Sequence, residues 1–180
     1  MASGGLTHKL DAWLPVPSAL SAKTVLQATL DAVIATGLAY HVERRGHAGM
    51  GDTIAAAVAK TQDAGGWLML PADMPLIDSN AILAVANALQ ADERAASQSV
   101  VMPVVGGQRG HPVGFPKACL ADLLALSGDE GAKSLFQKYQ TKKIHVDQLP
   151  EIQYPEGCLI DMDTTADLQK INNLLLLRLS

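Results

Sequence analysis

The stretch Gly65-Gly-Trp-Leu-Met-Leu-Pro-Ala-Asp-Met-Pro75 decides how the fold of this chain is interpreted. Its apolar run, residues 66–70, lies between a glycine pair and a proline, a pattern that predicts a short buried strand. Asp73 then lies in the turn at the carboxyl end of that strand, where open α/β sheets bind their ligands. A carboxylate there can hold a hard cation against substrate phosphates. The same residues also fit an ordinary turn in which Asp73 accepts local N–H groups, and the stretch alone does not decide between the two.

Length and composition predict one globular domain over residues 1–180. The chain has 180 residues, of which 48% are hydrophobic and 18% are charged. The formal net charge of −4 argues against a broad nucleic-acid-binding face. The sequence shows no signal-peptide pattern and no apolar run long enough to span a bilayer. We therefore expect a cytoplasmic protein with neither a nucleic-acid nor a membrane partner.

Helix and strand patterns alternate along the chain, which predicts an α/β fold with a largely parallel sheet. A turn rich in glycine at residues 106–110 joins two apolar runs and predicts a hairpin. The predicted helices cover residues 22–36, 54–60, 117–126 and 132–139. A further helix is predicted to be capped by Asp78 or Ser79, with its inner apolar positions between residues 82 and 89, and a final one to be capped by Thr164 or Thr165. The predicted strands cover residues 38–42, 66–70, 99–105, 111–115, 144–146 and 157–160.

Two candidate anion sites lie ahead of the Asp73 turn. Lys9 follows the flexible pair Gly4 and Gly5, whose N–H groups can face an anion. Gly51 allows backbone to approach a ligand, Asp52 or Thr53 can cap the helix that follows, and the first N–H groups of that helix can bind an anion. A solvated lysine and a plain capped helix explain these residues equally well when each is taken alone.

Two further groups of polar residues follow predicted strands. Arg109 and His111 lie together at the hairpin turn, although a structural imidazole is the ordinary role of such a histidine. Asp161 and Asp163 follow the apolar run at residues 157–160 and could reach the same edge of the sheet as Asp73.

Taken together, four segments make the chain resemble the MobA-like nucleotidyltransferases, in particular the molybdenum cofactor cytidylyltransferases. The resemblance covers most of residues 4–172 and implies a three-layer, mostly parallel α/β fold of the nucleotide-diphospho-sugar transferase (glycosyltransferase-A) type. The segments are Thr7-His-Lys-Leu10, Gly49-Met-Gly-Asp-Thr53, Leu70-Pro-Ala-Asp-Met-Pro75, and Gly110-His-Pro112 together with Ser127-Gly-Asp129, Gly131, Asp161-Met-Asp-Thr164 and Asp167-Leu168.

The resemblance also implies roles for individual residues. Asp73 and Asp163, with Asp161 in second place, would bind Mg²⁺, and Lys9 and Asp73 would be the catalytic residues. The implied nucleotide-binding residues are Gly4, Gly5, Lys9, Gly51, Asp52 and Asp73, and the implied substrate-binding residues are Arg109, Gly110, His111, Pro112 and Asp129.

The implied reaction is attack by a phosphate of the acceptor on the α-phosphorus of a nucleoside triphosphate, with pyrophosphate leaving. A phosphate nucleophile is already ionised at neutral pH, so His111 is interpreted as a nucleotide or acceptor contact rather than a base. CTP is favoured over GTP, and the acceptor is of the molybdopterin type. Two alternatives stay open: a non-catalytic module that binds molybdenum cofactor or nucleotide, and a nucleotidyltransferase for another small phosphorylated acceptor.

In that family, a strand and a longer glycine-rich loop precede the lysine segment. The sequence ahead of Lys9 is too short for both, so we expect an N-terminally shortened fold that lacks the strand and most of the loop. A homo-oligomer and a molybdoenzyme partner stay open.

Overall fold

The computed structural model describes residues 9–14, 23–44 and 46–177. The helices are α1 (Val25–Ala35), α2 (Met50–Ala59), α3 (Ser79–Arg94), α4 (Leu120–Leu124), α5 (Leu135–Lys138) and α6 (Thr165–Leu177). The strands are β1 (Gly66–Met69), β2 (Val100–Val105), β3 (Gln108–Arg109), β4 (Val113–Pro116) and β5 (Thr141–His145). Single 3₁₀ turns cover Lys117–Cys119, Val146–Gln148 and Pro155–Cys158.

The strands form one five-stranded sheet in which β2 is central. On one side β2 pairs with β5 in parallel; it also pairs with β4 and β3 in antiparallel fashion. β4 pairs in turn with β1, again antiparallel, so that β1, β2 and β5 run in the same direction. The predicted α/β class is confirmed, but the sheet of the described residues is mixed rather than mostly parallel.

The reason is the hairpin that follows β2. Gly106 and Gly107 take the left-handed φ values of 54° and 84°, which an L side chain rarely adopts. They reverse the chain so that Val104 faces Arg109. A connection this short cannot make the crossover that parallel strands require, so β4 returns antiparallel between β1 and β2.

Helices cover both faces of the sheet, which confirms the predicted three layers. Side chains alternate between the faces along each strand. One face packs against α2, α4 and α5 through a cluster that contains Val100, Met102 and Phe115. The other packs against α3 through Leu68, Val101 and Ile144.

The start of α3 agrees with the predicted cap, and the start of α2 does not. Asp78 caps α3 by accepting a hydrogen bond from the Asn80 N–H at 2.8 Å. Helix α2 begins earlier than predicted, at Met50, with Gly49 at its N-cap and no side-chain cap. The expectation that Asp52 or Thr53 caps this helix was therefore wrong, because both lie within its first turn.

Two predicted strands are absent from the described sheet. Residues 38–42 have no regular secondary structure and pair with no strand of the described sheet, and Tyr40 there is 54% exposed. A short apolar run does not reveal whether a neighbouring strand exists, which is why the pattern misled. Residues 157–160 follow Pro155, which fits the first position of a helical turn, and the chain forms a 3₁₀ turn there instead.

Candidate functional site

The geometry brings Lys9, Asp73 and Asp163 into direct contact. The Lys9 ammonium donates one hydrogen bond to Oδ2 of Asp73 and another, of 2.6 Å, to Oδ1 of Asp163. The Asp73 side chain is only 12% exposed and that of Asp163 is 62% exposed, so the cluster lies at the surface of the protein rather than in the core. Two carboxylates separated by ninety residues of sequence thus share one cation.

Asp73 is held by the turn after β1 and by the segment that carries Asp163. Its backbone carbonyl accepts a hydrogen bond from the Met162 N–H at 2.9 Å. Met74 and Leu76, which follow it, are completely buried and fix the turn to the interior. Because Met162 directly precedes Asp163, this backbone bond sets the distance between the two carboxylates.

Asp163 is positioned by a residue that the sequence interpretation did not assign to the site. The Asp167 carboxylate accepts hydrogen bonds from the Thr164 N–H at 2.8 Å, from the Thr164 hydroxyl at 2.7 Å and from the Asp163 N–H at 3.2 Å. The Asp167 N–H donates back to the Thr164 hydroxyl at 3.2 Å. This is a capping box at the start of α6, and the Thr-x-x-acid spacing was a signal that could have found it.

Lys9 is held on the site by backbone pairing of its short segment with the start of α1. The Leu14 N–H donates to the Lys23 carbonyl at 2.9 Å, and Trp13 forms an isolated bridge with Thr24. Burial alone lowers the pKa of Lys9, but its hydrogen bonds to Asp163 and Asp73 outweigh that effect, and the pKa is raised. Lys9 is therefore a full positive charge at neutral pH.

His111 lies within electrostatic reach of Asp73 and of Asp161. Burial lowers the pKa of His111, and the Met69 backbone and the charges of Asp161 and Asp73 offset this only in part. The imidazole is therefore neutral at pH 7, and its buried Nδ1 has no hydrogen-bond partner among the described residues. A neutral ring with a spare nitrogen suits a hydrogen-bonding contact better than a cationic one.

The backbone around His111 is fixed by the 3₁₀ turn at Pro155–Cys158. The His111 N–H donates to the Cys158 carbonyl at 2.9 Å. A Cβ atom on Gly110 would lie 2.5 Å from the same carbonyl oxygen, so only glycine allows this approach. The predicted residue Pro112 is buried and is joined to His111 by a cis peptide bond.

A second group of predicted residues meets at the start of α2. The Gly51 N–H donates to the Gly128 carbonyl at 2.7 Å, and the Asp52 carboxylate accepts from the Gly128 N–H at 2.9 Å. Asp129 follows this glycine and is exposed. Gly51, Asp52 and Asp129 are thus neighbours, although Gly51 and Asp52 use their polar groups on the chain itself.

The remaining predicted residues are less closely placed. Arg109 is exposed on β3, and no side-chain contact joins it to the Lys9 cluster within the described ranges. Asp161 is exposed and reaches His111 only through its charge. Gly4 and Gly5 lie outside the described residues, and the predicted N-terminal shortening stays a prediction.

Protein side chains alone supply only part of the ligands that a divalent cation needs at this site. In the described part of the chain, no three His, Cys, Asp or Glu side chains are arranged to hold a metal ion, so Asp161 does not complete a protein-only site. Asp73 and Asp163 nevertheless already coordinate a cation, the ammonium of Lys9. Mg²⁺ in phosphate-binding sites commonly takes one or two carboxylates plus substrate oxygens and water, which these two residues fit.

A three-layer α/β fold with carboxylates grouped beyond the carboxyl end of β1 is typical of a nucleotide-binding transferase. The sequence matches the MobA-like NTP transferase domain over residues 7–144. The chain therefore belongs to the MobA-like NTP transferase family. No curated protein sequence matches the chain significantly. No helix in the described ranges has the length and apolar character needed to cross a membrane.

Solved structures share the fold at low sequence identity. The protein Rv0371c from Mycobacterium tuberculosis H37Rv superimposes with a TM-score of 0.65 at 19% identity, covering 94% of this chain and 93% of that one. Its complex with manganese gives a TM-score of 0.63 at 20% identity, covering 89% and 90% of the two chains. Molybdopterin-guanine dinucleotide biosynthesis protein A from Archaeoglobus fulgidus gives 0.61 at 13% identity, covering 92% and 89%.

Proposed function

We propose that this chain is a Mg²⁺-dependent nucleotidyltransferase that uses CTP in preference to GTP and a molybdopterin-type phosphorylated acceptor. Membership of the NTP transferase family supports the nucleotide substrate. The likeness of fold to the Archaeoglobus fulgidus protein supports the acceptor class. The observation that carries the proposal is the convergence of Asp73 and Asp163 on one cation.

The proposed metal position is at these two carboxylates. The manganese complex of the Mycobacterium tuberculosis protein supports a divalent cation in this fold. When bound, such a cation supplies charge neutralisation at the phosphate oxygens. Asp73, fixed by its backbone bond to Met162, is the better ordered of the two ligands because it is the more buried.

In the proposed reaction, an oxygen of the acceptor phosphate forms a bond to the α-phosphorus of the nucleoside triphosphate. The bond from that phosphorus to the oxygen of the departing pyrophosphate breaks, and this oxygen keeps the electron pair. No proton is abstracted because the attacking phosphate is already ionised. The protein contributes positioning and charge, with Lys9 on the triphosphate and the neutral His111 as a hydrogen-bonding contact to nucleotide or acceptor.

A pyrophosphate-release assay tests this proposal. The protein is mixed with Mg²⁺, CTP or GTP, and either molybdopterin or another small phosphorylated acceptor. We expect pyrophosphate with CTP and molybdopterin, none in EDTA, and a loss of roughly 100-fold or more in Asp73→Asn, the scale for removing one preorganised electrostatic group. Asp63→Asn, at an exposed position away from the cluster, is the matched control.

Three results would contradict the proposal in different ways. Nucleotide binding without pyrophosphate from any acceptor would favour a non-catalytic binding module. Release with another phosphorylated acceptor, but not with molybdopterin, would keep the transferase and replace its acceptor. Full activity in Asp73→Asn would remove that carboxylate from the mechanism.

A further inference from the structure

The position that a divalent cation would take in this site is filled by a side chain. The Lys9 ammonium is bonded to Asp73 and lies 2.6 Å from Oδ1 of Asp163. An Mg²⁺ ion bound to the same two oxygens, at about 2.0–2.1 Å from each, would overlap the ammonium. Two cations at such a short separation would also repel each other strongly in a partly buried site.

We propose that Lys9 and the divalent cation exchange at this position, so that the cation enters as the lysine moves from the carboxylates to the triphosphate. The proposal rests on the proposed function for its metal and nucleotide. It assigns Lys9 two alternative partners: the acid pair when the cation is absent, and phosphate when it is present.

The surrounding contacts show which group moves. The backbone of Asp73 is fixed by the buried residues after it and by the Met162 N–H, and the backbone N–H of Asp163 is held by the Asp167 carboxylate. Lys9 carries its charge on a flexible four-carbon stem, with 24% of its side chain exposed. Both carboxylates are therefore carried on fixed backbone and short side chains, and the ammonium on its longer stem is the part that can leave.

Exchange makes the binding of metal and nucleotide cooperative. With metal alone, the ion must displace Lys9 and leave the ammonium without a partner. With a nucleoside triphosphate present, the displaced ammonium gains phosphate oxygens as acceptors. By linkage, the nucleotide tightens metal binding by the same factor as the metal tightens nucleotide binding.

The first test measures Mn²⁺ alone by electron paramagnetic resonance, which reports free ion directly. Wild type is compared with Lys9→Met and with Lys138→Met, which removes the same charge from an exposed pair with Asp122. We expect Lys9→Met to bind Mn²⁺ about tenfold more tightly, because the competing state is removed, and Lys138→Met to match wild type. Equal affinities in wild type and Lys9→Met would overturn the exchange.

A second test follows Lys9 itself in the wild type and does not depend on whether the variant folds. An amine-reactive acetylating reagent is applied with and without saturating Mn²⁺, and labelling of each lysine is measured by mass spectrometry. We expect labelling of Lys9 to rise severalfold with Mn²⁺ while that of Lys138 stays constant. Unchanged labelling of Lys9 when Mn²⁺ is bound would overturn the exchange. So would a failure of both the wild type and Lys9→Met to bind Mn²⁺.

These results are distinguishable from a failure of the proposed function. Pyrophosphate release in a wild type that shows no exchange would discard the exchange alone. Exchange in a protein that releases no pyrophosphate with any donor and acceptor would support the exchange and discard the proposed reaction.

Discussion

Asp92 shows how a single buried carboxylate is retained at the end of α3. It is 6% exposed and accepts a hydrogen bond from the Ser99 N–H at 2.8 Å. Lys142 on β5 adds a contact of 3.3 Å. Burial alone raises the pKa of Asp92, but the hydrogen bonds from Ser99 and Lys142 outweigh it, and the pKa is lowered. This carboxylate therefore ties α3 to the entry into β2 and to the neighbouring strand.

The lowered pKa gives Asp92→Asn a pH-dependent effect. A group with a depressed pKa contributes stability above its unfolded value of 3.8, and this contribution is lost as the pH falls through its folded value. We expect Asp92→Asn to lower the free energy of unfolding by about 1.5–3 kcal/mol at pH 7, the range for hydrogen bonds to a charged group. The difference in the free energy of unfolding between wild type and Asp92→Asn should become smaller as the pH falls below 3.8.

Urea unfolding of wild type and variant at pH 7 and at pH 3 measures this difference in the free energy of unfolding. Asp63→Asn, at an exposed site, should stay close to wild type at both values. A gap of the same size at the two pH values would show that the carboxylate charge is not what stabilises this corner.

At the scale of elements, the start of helix α2 includes a glycine that packs closely against another segment. A Cβ atom on Gly51 would lie 2.7 Å from the Ser127 carbonyl oxygen, and the contact is with backbone that cannot rotate away. We expect Gly51→Ala to lower the free energy of unfolding by about 1–3 kcal/mol because the helix start must move off the segment at residues 127–128. Gly65→Ala, where nothing lies within 4 Å, should be nearly neutral in the same denaturation experiment. Similar losses for both would mean that loss of backbone freedom, not the close approach, explains the glycine.

The irregular segment between α1 and α2 is held by an almost buried carboxylate. The Glu43 side chain is 4% exposed, with the Lys60 ammonium at 2.6 Å and the imidazole Nε2 atoms of His41 and His47 at 3.5 and 3.6 Å. Residues 38–42 pair with no strand of the described sheet, so they lack the backbone hydrogen bonds of a strand pair. The side-chain contacts of Glu43 hold the segment instead. Glu43 thus fixes the segment to α2, which carries Lys60 at its C-cap.

We expect Glu43→Gln to destabilise the protein far more than a comparable change at an exposed pair. The loss should be about 1–3 kcal/mol, since a nearly buried acceptor of charged hydrogen bonds is replaced by a neutral one. In Asp31→Asn, the partner Lys23 and the acid itself are both about half exposed, so the loss should stay within about 0.5 kcal/mol. Thermal and urea unfolding of the two variants compare these losses, and equal effects would show that Glu43 does not anchor the segment.

At the scale of the whole molecule, local patterns predicted what depends on neighbours in sequence. The strand before Asp73, the hairpin after β2 and the cap at Asp78 all have short-range signals, and the structure contains them, although only Trp67 of that strand is buried. The direction of β4 and the absence of a partner for residues 38–42 depend on which distant strands are available, and no local pattern carries that information.

The site divides in the same way. Motifs brought Asp73 and Asp163 under consideration together, and the structure places them on one ammonium. The contact of Lys9 with both acids depends on chain segments far apart in sequence, and it was not foreseen. The functional roles of Lys9, Asp73 and Asp163 stay predictions, as does the role of Asp161 as a metal ligand.

The rise in Tm when ligands are added tests the binding of the metal and the nucleotide to the folded chain. A ligand at 100 times its dissociation constant stabilises the folded state by about 2.7 kcal/mol, which raises the Tm of a domain of this size by roughly 5–10 °C. We expect such a rise with CTP and Mg²⁺ together, a smaller one with GTP and Mg²⁺, and little with CTP in EDTA, because the carboxylate pair binds triphosphate only through a cation. Asp73→Asn should lose most of the rise, whereas Asp63→Asn should keep it. A rise that is the same with and without Mg²⁺ would separate nucleotide binding from the carboxylates, and a larger rise with GTP than with CTP would reverse the assignment of the base.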